Sequence, residues 1–251
     1  TQGRDINMSE ARIAGYRHFA TKLWNAARFG EMNECRLRSD FDETKAELAV
    51  NRWIIAKAKQ ATKEVTDNLN AFRFSEAANA VYQFTWGSFC DWYIEMVKPR
   101  LYNDEDTTKN AAIWTLKTVL IDALKLLHPY MPFITEEIFC NIQDEEESIM
   151  ISSWPVYDET NNFAAEEKAI ETIKEAVRNI RNLRADMNVA PSRKALVYVV
   201  TASEDVKNIF NNSLGFFGTL AYASEVKVQA DKAGIPEDAV STVIPLSLIH
   251  I

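Results

Sequence analysis

Glycine and proline are scarce, at seven of each among 251 residues. Both break regular helices, so their scarcity favours long helices over a turn-rich β-protein. Cysteine is scarcer still, and Cys35, Cys90 and Cys140 lie far apart. No CxxC or Cys/His spacing offers a zinc site, and an odd count excludes a closed disulfide framework. Three reduced thiols in the cytoplasm are the expectation, with no metal bound and no pairing. His18, His128 and His250 are isolated, and sequence order suggests neither a Ser-His-Asp nor a Cys-His arrangement. No apolar run approaches the roughly 18 residues of a membrane span, so no membrane partner is expected. No signal peptide opens the chain. Phosphate-cradling GxGxxG and GxxxxGK[ST] loops are absent. The expectation is a chain with no active site of its own. Thr1 rather than a methionine stands first, and a piece of a longer protein is expected.

The formal net charge of −8 argues against nucleic-acid binding over the whole surface. Charge is unevenly spread, however. Residues 1–39 carry seven Arg and Lys against four acids, while runs such as Asp104-Glu105-Asp106 and Asp144-Glu145-Glu146-Glu147 concentrate the negative charge.

Five helices are predicted in the first 143 residues. The first follows Ser9 and runs to about Gly30, with Ile13, Tyr16, Ala20, Leu23 and Ala27 as its core stripe at steps of three and four. The second spans about Asp42–Asn70, with Leu48, Ile55 and Val65 facing inward. The third, rich in aromatics, runs from Ser75 to about Val97 and is stopped by Pro99. The fourth covers about Thr107–Leu127, and the fifth runs from Pro132 to Ile142. The pattern then changes. Ile149-Met150-Ile151 is a strand candidate, 164–187 a helix, and Leu196–Val200 a clear strand. Short helices at about 204–211 and 214–222 follow, with further strands at 225–228 and 242–244. The fold class is mainly α: residues 1–147 form an antiparallel helical bundle. Residues 148–251 form a small mixed α/β unit, with 246–251 an unassigned tail.

Three sets of residues are candidates for chemistry. Asp91 and Glu95 share a helix face, as an acid/base pair would, but without a third group the pattern fits a solvated edge or salt-bridge partners better. At the end of the first helix, Phe29 lies roughly 155° from the core stripe, with Asn25 and Arg28 between. An aromatic platform, an amide and a planar guanidinium are what unstacked RNA bases require. The alternative is that Phe29 packs beneath the loop at Cys35–Phe41. Arg178, Arg181 and Arg184, spaced by three, either contact phosphate or pair with Glu171 and Glu175.

Three longer motifs speak to kinship. Gly3-Arg4-Asp5-Ile6, Gly15-Tyr16-Arg17-His18-Phe19 and Lys22-Leu23-Trp24-Asn25-Ala26-Ala27-Arg28-Phe29 form the first. His128-Pro129-Tyr130-Met131-Pro132-Phe133-Ile134-Thr135-Glu136-Glu137-Ile138 is the second. Arg178-Asn179-Ile180-Arg181-Asn182-Leu183-Arg184-Ala185-Asp186-Met187-Asn188-Val189, with Pro191, is the third. In this order they resemble the valyl members of the class I aminoacyl-tRNA synthetases, just after the catalytic domain. Looser versions occur in the isoleucyl and leucyl enzymes.

The resemblance implies an anticodon-binding bundle followed by a small α/β unit, partnered by the tRNA for valine and by an upstream catalytic domain. ATP and Mg would serve that upstream domain, whose "HIGH" and "KMSKS" signatures are absent here, and no cofactor is implied for these residues. The RNA-binding candidates are Trp24, Asn25, Arg28 and Phe29, with Arg12 and Arg17, and then Arg178, Arg181 and Arg184. A monomer is expected. The alternatives are a non-enzymatic helical interaction module and the equivalent portion of an isoleucyl enzyme.

Overall fold

The computed structural model describes residues 9–33, 48–103, 105, 107–143, 145–245 and 247–251. The chain divides into two compact units, Thr1–Phe163 and Ala164–Ile251.

The first unit is a helical bundle of α1 (Glu10–Met32), α2 (Ala49–Asn70), α3 (Phe74–Tyr82), α4 (Ile94–Leu101), α5 (Lys109–Leu127) and α6 (Pro132–Ile142). A π-helical stretch, Gln83–Tyr93, joins α3 to α4 in one continuous rod. Its rings repeat four residues apart and stack, Tyr82 on Trp86 at 5.8 Å and Phe89 on Tyr93 at 6.0 Å. Trp53, Phe89, Tyr93, Leu116, Leu124 and Phe139 are fully buried in α2, the rod, α5 and α6, with α2, the rod and α6 each packed on α5. Truncating one such aromatic to alanine would cost about 3–5 kcal/mol. The buried Tyr93 hydroxyl is satisfied by Asn51 Oδ1 at 3.2 Å and Ala112 O at 3.3 Å, tying three helices at one point.

Several expectations change here. Pro99 does not stop the third helix, which continues to Leu101. A proline so close to a helix end removes little more than one backbone hydrogen bond. Leu48 is 38% exposed, whereas Ile55 and Val65 are buried as predicted. Ile149–Ile151 is a 3-10 turn rather than a strand. It belongs to the first unit because Ile149 is buried and its amide donates to Glu136 Oε2 at 3.2 Å. Trp154 Nε1 likewise donates to Thr66 Oγ1 at 2.9 Å. These ties carry the first unit on to Phe163, past the division read at residue 148.

In the second unit, α7 (Ala164–Asp186) precedes a four-stranded mixed sheet of order β2-β1-β4-β3. The strands are β1 (Ala195–Val200), β2 (Ala223–Gln229), β3 (Ser241–Ile244) and β4 (Ser247–His250). β1 and β2 are parallel, as a connection through α8 (Glu204–Asn211) and α9 (Leu214–Leu220) permits. Residues 247–250 of the unassigned tail form β4. It is antiparallel to β1 on one side and to β3 on the other, with Ile249 fully buried. Among the described residues no helix is long and apolar enough to cross a membrane.

Candidate nucleic-acid interface

The core side of α1 starts later than its periodicity suggests. Ile13 and Tyr16 are 53% and 73% exposed, while Phe19, Leu23, Ala26, Ala27 and Gly30 are buried. Phe19 sets this face by packing on Tyr82 and Trp86, at 5.1 and 6.0 Å between ring centroids. Taking 100° per residue, the buried stripe is rotated roughly 55° from the one read in the sequence. Phe29 therefore lies on a flank instead of opposite the core.

That flank faces the end of α4. The Phe29 ring is half-buried, edge-on to Tyr102 at 6.3 Å, with Lys98 Nζ 5.8 Å from its centroid. Lys98 is also paired with Glu95 at 2.5 Å. Cys35–Phe41, the loop beneath which Phe29 could pack, lies outside the described residues. Further back on the same side, Lys22 lies 4.2 Å over the Trp86 ring and is ion-paired with Asp91. Asp91 and Glu95 are thus salt-bridge partners.

The other flank faces α6. Trp24, 46% exposed, and Arg28, one turn on, line a cleft of about 420 Å³ with Glu31. Glu137, Ile138 and Asn141 of α6 line its opposite wall. Asn25 and Arg17 are exposed, and the Arg17 carbonyl accepts from Thr21 Oγ1 at 3.0 Å. The side chain of Arg12 lies outside the described residues. Arg28 and Phe29 therefore do not form one cluster. The structure joins Arg28 to Trp24 and an α6 wall, and Phe29 to Tyr102 and Lys98. Glu137 stands in the second motif and Asn141 three residues beyond its end, and the two are spaced for one helix face, but sequence order alone does not bring α6 to α1.

In the second unit the arginines part company. Arg178 is exposed, Arg181 is exposed with Nε donating to Leu220 O at 2.6 Å, and Arg184 is buried. Arg184 Nη2 donates to Ala190 O at 2.9 Å and Arg193 O at 2.5 Å, and the guanidinium lies 5.6 Å from the Tyr222 ring. An RNA contact from Arg184 is corrected to a structural role. Steps of three drift roughly 60° each around a helix, so Arg178 and Arg184 lie on different faces.

Cys90 is buried and its thiol is pushed up to about 12, chiefly by desolvation; Cys140 is an exposed free thiol. Cys35 lies outside the described residues. Among the described residues no group of three His, Cys, Asp or Glu side chains is placed to hold a metal.

Residues 51–200 match the family model described as the anticodon-binding domain of tRNA ligase. The chain is similar to the valine–tRNA ligase of Clostridium perfringens, 44% identical over 243 residues, which cover 96% of this chain and 28% of that protein. It is 42% identical over 250 residues to the valine–tRNA ligase of Clostridium tetani, covering 99% and 28%. With the valine–tRNA ligase of Geobacter sulfurreducens the figures are 39% over 231 residues, 90% and 26%. The chain thus spans little more than a quarter of the length of these relatives. The order of motifs, the helical bundle and the family match agree: this chain belongs to the family of anticodon-binding domains of tRNA ligases.

Proposed function

We propose that this chain is the tRNA-reading portion of a valine–tRNA ligase, and that it takes the anticodon arm of a tRNA for valine on the exposed side of α1. The observation that carries this is the placement of Trp24, Asn25 and Arg28. All three are exposed on one helix of an otherwise acidic protein, and two line a cleft. Arginine supplies positive charge and a planar fork, indole a stacking surface and asparagine an amide. That the similar proteins of both Clostridium species are valine–tRNA ligases supports valine as the amino acid. In this reading the parent enzyme attaches valine in the cytoplasm with ATP and Mg at a catalytic domain outside these residues. The chain by itself is monomeric and non-catalytic.

The test is a fluorescence titration of the chain with two tRNAs at fixed salt, one bearing a valine anticodon and one an altered anticodon. Arg28→Ala should weaken the first by roughly 5- to 150-fold and the second much less. Phe29→Ala should show the same selectivity, on top of a loss of thermal stability from its contact with Tyr102. Equal affinity for both tRNAs before any substitution would overturn the proposal.

A further inference from the structure

The cleft between α1 and α6 has a chemical polarity that a generic RNA surface does not require. Its α1 wall offers an indole and a guanidinium, Trp24 and Arg28, one helical turn apart. Its opposite wall, on α6, offers acceptors. Asn141 Nδ2 donates to Glu137 O at 2.6 Å and lies 3.3 Å from Glu137 Oε1. The Asn141 donor is therefore turned to its own helix, which leaves Glu137 Oε2 and Asn141 Oδ1 as acceptors on the same helix face. Glu31, on the α1 side, adds a third acceptor group. The volume of about 420 Å³ falls within the roughly 300–1,000 Å³ of small-molecule pockets.

We propose that this cleft holds a single unstacked RNA base that carries an exocyclic amine, stacked on Trp24 and bound by its amine to Glu137 and Asn141. The inference rests on the RNA-binding function proposed above and adds the α6 wall and the class of base. Two carboxylates repel phosphate, so it is the base and not the backbone that enters. Arg28, on the α1 wall, supplies the positive charge for the adjoining phosphate. Acceptors take hydrogen bonds from the amines of cytosine, adenine or guanine. Uracil presents two carbonyl oxygens and one N–H, so two acceptors facing it would leave oxygen against oxygen. Stacking on an indole is tolerant of sequence, which leaves the discrimination to Glu137 and Asn141.

The experiment uses the full 251-residue chain and RNA hairpins, identical except that one loop position after another carries cytosine or uracil. The chain should prefer cytosine to uracil at one position. Glu137→Gln, an isosteric change at an exposed site, should lower that preference by roughly 5- to 150-fold. Trp24→Ala should weaken cytosine and uracil hairpins alike by roughly 5- to 150-fold, with most of the loss restored in Trp24→Phe. Circular dichroism verifies that each variant folds. If hairpins bind but Glu137→Gln leaves the cytosine preference intact, the base site falls while the RNA-binding function stands. Hairpin affinity unchanged in Trp24→Ala has the same meaning. If the unsubstituted chain binds no hairpin, both fall together.

Discussion

Replacing Arg184 by methionine isolates what its guanidinium does, because methionine keeps an apolar stem of similar reach. Arg184 is 3% exposed and closes the segment after α7 by donating to Ala190 O and Arg193 O. Hydrogen bonds from a charged donor contribute about 1.5–3 kcal/mol each. The face of Tyr222 adds about 0.5–2 kcal/mol. In the opposite direction, Nη1 of the same group is buried without a partner, and its removal returns about 1–3 kcal/mol. The balance is a loss of about 2–5 kcal/mol. A unit running from Ala164 to Ile251 has only on the order of 4–13 kcal/mol in total. Amide exchange of β1, read by mass spectrometry, should therefore speed by roughly 30- to 5,000-fold. Exchange in α2, in the other unit, should change far less. Arg178→Ala, on the exposed face of α7, should cost no more than the ~1 kcal/mol of a surface pair. Unchanged exchange in β1 of Arg184→Met, with a loss of RNA affinity in its place, would refute the structural role.

Two further outcomes follow from side chains with defined partners. Lys22 is held by Asp91 and by the Trp86 ring, so Lys22→Ala and Asp91→Ala should be coupled by about 0.5–1 kcal/mol in a double-mutant cycle of thermal stability, modest because the side chains are 28% and 44% exposed; additivity would show the pair to be idle. Glu136 is held below the usual carboxylate range, first by the Ser148 hydroxyl and also by the Ile149 amide. A depressed acid contributes stability that is full above the ordinary glutamate value of ~4.3 and is lost as pH falls through the lower folded value. The melting temperature of the first unit should accordingly fall less on acidification in Glu136→Gln than in the unsubstituted chain; parallel curves would remove Glu136 from the account.

The elements were legible where local chemistry decides them. Ser203, whose side chain accepts from Val206 N, opens α8; Pro132 opens α6; and the β-branched and aromatic run Val197–Val200 makes β1. Ile149–Ile151 misled because three apolar residues fit a strand or a tight turn equally well, and Ser148 capping Met150 N decides for the turn. The tail at 247–250 was opaque for another reason. Ser-Leu-Ile-His carries no signal by itself, and its order comes from pairing with β1 and β3, which lie elsewhere in the sequence.

The site was legible in its residue types but not in its grouping, and the cause is a rotation of roughly 55° about one helix axis. Periodicity locates a buried stripe only to within the width of the apolar face. In α1 that face includes Ile13 and Tyr16, which the first unit does not bury, and Phe19, whose contacts with Tyr82 and Trp86 set the rotation. Once Phe19 points inward, Phe29 must turn toward Tyr102 and Lys98, and Trp24 and Arg28 toward α6. A helix lodged between two others has two flanks, and neighbours in sequence such as Arg28 and Phe29 stand roughly 100° apart around it. Two adjacent residues can therefore serve two different surfaces, and the partner of each is chosen by distant residues: Tyr102 for one, Glu137 and Asn141 for the other.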